Sequence, residues 1–256
     1  MRPAALLLWL LAIASSCASR GQCLSAEAIA GDGPPETIVI GFMGGKVTHD
    51  DATRNELIIS NRMRASYPGV YFGVFENRRL EDAHQKILHL LSNSLTQPLP
   101  DALSRPLTDR EKHRARIILY GHSWGASATV TLANELQNDG IPVLLTIQVD
   151  SVEKHRQNDD VIPDNVARAI NFYQPDGMLH GRQEIHAADP ARTQILGNFR
   201  YSYKDKDAPN ECHAYPWFER VFIKTHIAIE CDPVLWKRIE SLIRENLGPP
   251  GETATR

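Results

Sequence analysis

The sequence predicts an α/β fold: an open, mostly parallel sheet with helices on both faces and no large lid domain. Three observations predict it. Short β-branched and apolar runs at 37–42, 70–75, 117–120 and 143–149 read as strands buried on both faces. Between them apolar residues recur three or four apart, the spacing of one helix face. The chain has 256 residues, 42% apolar and 23% charged, with 16 Gly and 16 Pro. That can bury a sizeable core and excludes disordered, collagen-like and coiled-coil chains. Strands alternating with helices pair in parallel through right-handed crossovers, so 37–247 reads as one domain.

Taken in order, Thr37 to Phe42 is a strand that ends at Gly44-Gly45. Thr53 with Glu56 three residues later has the pattern of a capping box and predicts a helix start. Val70 to Phe75 is the next strand, and Leu80, Ala83, Ile87, Leu91 and Leu95 mark one face of a long helix. His84 and His89 on that helix read as surface residues. From Thr96 to Arg110 the chain is Pro-rich and polar, a loop. Ile117 to Tyr120 is a strand, and the helix after it, marked by Ala126, Val130 and Ala133, stops at Asn138-Asp139-Gly140. Val143 to Val149 and Ala167 to Tyr173 are further strands, and Asn198 to Tyr203 alternates as an edge strand would. Asp232-Pro233 supplies an N-cap and first position for a last helix.

The two ends lie outside this pattern. Arg2, an apolar run from Ala4 to Ala14 and the small residues up to Ser19 have the order of a secretory signal, so 1–19 is expected to be cleaved on export to a periplasmic or extracellular space. The run is too short for a bilayer core of about 30 Å, and no later segment qualifies, so no membrane span is expected. A lipid anchor on Cys17 is the alternative. Residues 20–36 read as a flexible segment and 248–256 as a polar tail. In an oxidising compartment Cys212 and Cys231, close in the C-terminal region, are the expected disulfide, leaving Cys23. Net charge is −3 without a dense Lys/Arg stripe, which excludes a nucleic-acid partner. No Cys-x-x-Cys pair or zinc-spaced His pair occurs, and no metal or cofactor is expected.

The chemistry is predicted at Gly121-His122-Ser123-Trp124-Gly125, between a predicted strand and a predicted helix. A nucleophile held in a tight strand-to-helix turn forces its neighbours against adjacent backbone, where only glycine fits. The helix start directs unpaired N–H groups at the same place. A serine hydroxyl needs a neighbouring base, and His226, just before the last helix, is the first candidate among ten histidines, with His213 second. Asp150, ending the strand Val143 to Val149, would project into the crevice where open α/β sheets bind ligands. Asp176 ends the next strand and remains the alternative acid, although Pro175-Asp176-Gly177 is also a common turn sequence.

With these residues the sequence resembles the α/β-hydrolase superfamily, in particular its small thioesterase-like and lipase-like members with a G-x-S-x-G nucleophile elbow. The resemblance spans roughly Thr37 to Leu247 by element order. It is specific at the elbow, the first Gly-rich loop and the late histidine. It implies the chain order Ser, then acid, then His, with Ser123 as nucleophile, His226 as base and Asp150 or Asp176 as acid. It also implies an oxyanion hole of two backbone N–H groups, one from Trp124 and the other from Met43, with Gly44 as the second candidate. His49-Asp50-Asp51 on the same rim is assigned nothing catalytic. Segments 151–165 and 175–196, which follow strand ends, are expected to wall the pocket.

The expected function is therefore cleavage of an ester or thioester, small or lipid-like, through an acyl-enzyme on Ser123. Two other functions fit the same residues: an inactive binding protein that kept the fold, and an acyltransferase.

Overall fold

The computed structural model describes residues 36–92, 105–154, 157–204 and 210–249. The first apolar run becomes β1 (Glu36–Met43), and the chain continues through α1 (Asn55–Ser66), β2 (Tyr71–Glu76), α2 (Leu80–Leu91), α3 (Asp109–His113) and β3 (Ala115–His122). Then come α4 (Trp124–Asn138), β4 (Val143–Val149), β5 (Val161–Ile162), β6 (Val166–Tyr173), β7 (His186–Ala187) and β8 (Gln194–Arg200). A 3₁₀ turn (Asn210–Ala214) leads into α5 (Trp217–Phe222), α6 (Lys224–Glu230) and α7 (Pro233–Leu247).

Six strands form one sheet in the order β2-β1-β3-β4-β6-β8, and every pairing is parallel. A separate pair, β5 and β7, is also parallel. Successive side chains of a strand point to opposite faces, and β1 sorts accordingly. Ile38, Ile40 and Phe42 join α2 and α4 in one apolar layer, through Ile87, Leu90, Leu132 and Leu136. Val39 joins α1 and α7 in the other, through Met63, Leu235, Trp236 and Ile239. Both faces are covered, which is why the central strands read as continuous apolar runs. The result is the expected open, parallel α/β sheet with helices on both faces.

Several local expectations change. Thr53 and Glu56 do not form a capping box: Arg54 is the N-cap of α1 without a side-chain bond, and Thr53 instead donates to Asp51. Glu56 cannot fold back because its side chain is wholly buried elsewhere. The capping box sits at Thr108 and Glu111, which start α3 within the stretch read as loop. The edge strand runs from Gln194 to Arg200, earlier than its alternation suggested. His89 is buried under α2, not on the surface. Leu95, the N-terminal segment with Cys17 and Cys23, and the tail beyond Pro249 lie outside the described residues. Among the described residues, no helix is long and apolar enough to cross a membrane.

Candidate active site

The turn between β3 and α4 holds Ser123 at φ 57°, ψ −124°, a conformation that side-chain-bearing residues rarely adopt. Its N–H donates to the Val149 carbonyl at 2.9 Å, which ties the turn to β4. The flanking glycines are required by contact. A Cβ on Gly121 would lie 2.6 Å from the Gly125 carbonyl carbon, and one on Gly125 would collide with the Phe42 carbonyl.

Three predicted residues come together here. Ser123 Oγ lies 2.9 Å from His226 Nε2, and His226 Nδ1 lies 2.6 Å from Asp150 Oδ2. A carboxylate only accepts, so Nδ1–H donates to Asp150, and Nε2 is left to accept the Ser123 hydroxyl. His226 sits in α6, a short helix the sequence pattern did not announce. Asp150 follows β4 at φ 44°; among the described residues, it and Ser123 are the non-glycine residues with positive φ. Its carboxylate accepts four hydrogen bonds: from Gln174 N (3.1 Å) and Gly181 N (2.8 Å) at Oδ1, and from Gln174 Nε2 (2.8 Å) and His226 at Oδ2. A Cβ on Gly181 would overlap the Asp150 backbone.

The other candidates stand apart. The Asp176 carboxylate accepts from Ser202 Oγ (2.8 Å) and Tyr203 N (2.9 Å), while its backbone carbonyl accepts from Thr225 Oγ1 (2.6 Å) at the start of α6. Asp176 thus holds the segment next to His226 and not its ring. His213 is exposed and faces Arg220. Asp51, from the acidic rim, bonds Thr53 and Arg54.

A cavity of about 640 Å³ opens over Ser123, His226 and Trp124, lined also by Val152 and Leu179 from the two segments expected to wall it and by Phe218 and Ile223. Gly44 lines this cavity; Met43 is buried as the last residue of β1 and does not. Asn77 fixes the first loop by donating through Nδ2 to the carbonyls of Met43 (2.9 Å) and Gly45 (2.6 Å), and Lys154 donates in turn to Asn77 Oδ1. In a trans peptide C=O and N–H point opposite ways. With the Met43 carbonyl turned to Asn77, the Gly44 N–H points away from it. Trp124, the first residue of α4, has no intrahelical partner for its N–H.

Beside the histidine, and bordering the same cavity through Arg54, His122 and Glu230, lies a buried polar layer that sequence reasoning missed. Glu56, His122 and Glu230 bring their ligand-type atoms within 4.8 Å of one another, as do His122, Asp150 and His226. Burial and then the neighbouring Glu230 charge push the Glu56 carboxyl up to about 8. Burial and then the adjacent His226 hold the His122 imidazole well below its usual value. Neither trio suits a cation: Asp150 and His226 are bonded to each other, and both oxygens of Glu230 are taken by Arg54. No local pattern marks Arg54, Asn77, Gly181 or Glu230, whose partners are distant in the chain.

No family model matches the sequence, and no curated protein does. Among solved structures the chain is similar to a cutinase-like protein from Cryptococcus sp., at 11% identity and a TM-score of 0.41, covering 85% of this chain and 98% of that one. It is similar to a putative YdeN-like hydrolase from Pectobacterium atrosepticum at 12% identity and a TM-score of 0.35, over 80% of this chain and 90% of that one. The type II thioesterase BorB from the borrelidin biosynthetic cluster matches at 10% identity and a TM-score of 0.36, over 86% and 96% of the two chains. Likenesses of this strength add nothing to what the sheet and the site display.

Proposed function

We propose that the chain is an exported serine hydrolase that cleaves an ester or thioester through an acyl-enzyme on Ser123. One observation carries the reading: a hydroxyl, an imidazole and a carboxylate in hydrogen-bonded series, 2.9 Å and 2.6 Å apart, on the wall of a cavity. Ser123 Oγ attacks the substrate carbonyl carbon and its proton passes to His226 Nε2. Asp150 keeps the imidazole in the tautomer that accepts this proton and stabilises the imidazolium without becoming protonated. The negative charge developing on the carbonyl oxygen is met by the N–H groups of Trp124 and Gly44; Gly44 takes the place expected of Met43 because it lines the cavity. The imidazolium then protonates the leaving group, and water enters by the same route to release the acid.

The disulfide between Cys212 and Cys231 and the signal-like order of residues 1–19 support export. A fluorophosphonate probe is expected to label the wild-type protein, and Ser123→Ala is expected to abolish both labelling and turnover of short-chain p-nitrophenyl esters. Labelling that survives the substitution unchanged defeats the reading.

A further inference from the structure

Arg54 is 3% exposed, yet its guanidinium serves three segments at once. Nη1 reaches both oxygens of Glu230 at 3.0 Å, Nη2 donates to Glu219 Oε2 at 3.0 Å, and Nε donates to Asp51 Oδ2 at 3.3 Å. The guanidinium carbon lies 4.1 Å from the centre of the Tyr215 ring. Asn55 Nδ2 adds a bond to the Glu230 carbonyl at 2.8 Å. The start of α1 therefore grips the last residue of α6. His226 lies four residues earlier in α6, on the same face. Glu230 also approaches the base through His122: its Oε2 is 3.3 Å from His122 Nδ1, and the His122 ring is centred 4.5 Å from the His226 ring.

For stability alone this is a poor arrangement. Apolar residues of similar volume commonly stabilise a core as well as a buried ion pair does, because both charges must leave water. The pair makes sense where a charge is wanted in one place. We propose that Arg54 and Glu230 are positioning residues for His226: the clamp fixes the turn of α6 that carries the imidazole, and the Glu230 carboxylate, behind His122, favours the imidazolium formed when Ser123 gives up its proton. This rests on reading Ser123, His226 and Asp150 as the reacting groups.

Of the two buried carboxylates, Glu230 is the one that the guanidinium bonds, which makes it the charged member of the pair. Glu56, facing it from α1, is pushed up to about 8 by burial and by Glu230, and so is protonated near neutral pH. Burial pushes the Glu230 carboxyl up as well, and the Arg54 guanidinium bonded to both its oxygens pulls it back toward the charged form. Glu219 from α5 meets the guanidinium on its other nitrogen, and the Tyr215 ring covers it. Neutral His122 transmits the field of Glu230 without adding a charge next to His226.

Two substitutions separate position from charge. Glu230→Gln keeps the shape and removes the charge; Arg54→Lys keeps a cation and loses the three-way grip. Both are expected to lower kcat on a p-nitrophenyl ester by about 10-fold or more while KM changes by less than about twofold. In Glu230→Gln the acid limb of kcat/KM moves to lower pH by roughly half a unit or more, because a negative charge that favoured the protonated ring is gone. In Arg54→Lys it stays. A purely structural role lowers the melting temperature and leaves kcat and the acid limb in place, and that result overturns the proposal. If Glu230→Gln does not fold, Glu230→Asp replaces it, with the charge kept on a shorter arm. It should lose kcat with the acid limb unmoved, and an unchanged kcat overturns the proposal. A wild-type protein without Ser123-dependent turnover defeats the hydrolase reading and leaves this test standing. NMR titration of the His226 ring in wild type and Glu230→Gln then reads the effect directly, and an unmoved midpoint overturns it.

Discussion

Ser123 and Asp150 both stand at positive φ, and each is held there by neighbours that have given up a side chain. Such conformations cost of order 1–3 kcal/mol each and persist only where the surroundings over-determine them. For Asp150 the determining neighbour is Gly181, which donates its N–H to Oδ1 and leaves no room for a Cβ. Gly181→Ala must push the Asp150 backbone and swing the carboxylate away from His226 Nδ1. The expected result is a fall in kcat of about 100-fold with a folded protein, since a catalytic group misplaced by about 1 Å costs that much. Steady-state kinetics beside a melting curve check it; full activity would mean that Asp150 does not orient the base. Asn77 has a parallel task at the first loop. Asn77→Asp cannot donate to the Met43 and Gly45 carbonyls and repels them, so the Gly44 N–H loses its direction. A loss of kcat of roughly 10²-fold at nearly constant KM is expected, the signature of a missing oxyanion donor. Equal losses in binding a ground-state ester and a boronate analogue would contradict it.

At the scale of elements, local patterns were legible where they answered to local physics. The buried strands, the helix-face spacing of α2, the stop of α4 and the N-cap of α7 all depend on neighbours within a few residues, and all are present. Thr53 and Glu56 mislead for the opposite reason. The pattern is right, but a capping box needs a glutamate free to fold over the helix start, and Glu56 is drawn inward beside His122 and Glu230. The exposed Thr108 and the half-buried Glu111, which is not drawn into the core, keep that freedom and form the box. Helix α6 carries no recognisable signal: seven residues are too few to show a period, and it is held by contacts from elsewhere. One of those contacts is the disulfide from Cys231, at its C-terminal end, to Cys212, with Cα atoms 5.4 Å apart. Closing that span restricts the unfolded chain by about 3 kcal/mol, model-dependently. Reduction should therefore loosen α6 and lower turnover before the parallel sheet unfolds. Activity and far-ultraviolet circular dichroism recorded along one reductant series test this; a simultaneous loss of both signals would mean that the bridge holds the whole fold and not the histidine segment.

Over the whole molecule, what the sequence conceals is contact between distant positions. Arg54 and Glu230 lie 176 residues apart, and Glu56 meets both from the first turn of α1. Topology creates this cluster, because α1 and α6 pack at the end of the sheet where β3 delivers His122. Burying two carboxylates with one guanidinium links folding to pH, and the direction can be worked out. The Glu56 carboxyl is near 8 in the folded protein against an ordinary 4.5, so the native state holds a proton that the unfolded chain releases. Its contribution to stability is present below about pH 4.5 and is lost as pH rises toward 8. His122, held below its ordinary 6.5, works the other way, since the unfolded chain takes up a proton that the native ring refuses as pH falls below that value. Glu230, which burial also pushes up, works in the direction of Glu56. Between pH 4.5 and 6.5 Glu56 and His122 oppose each other, and from 6.5 to 8 the loss from Glu56 acts without that opposition. Glu56→Gln mimics the protonated acid and removes the loss. Relative to wild type, the variant should gain stability between pH 6.5 and 8 by on the order of 1 kcal/mol, and the difference should level off below pH 4.5. Urea denaturation of both proteins at pH 5, 6.5 and 8 measures it. A difference that stays flat across those three values would show that Glu56 is already ionised in the folded protein, with Arg54 shared between two charges instead of committed to Glu230.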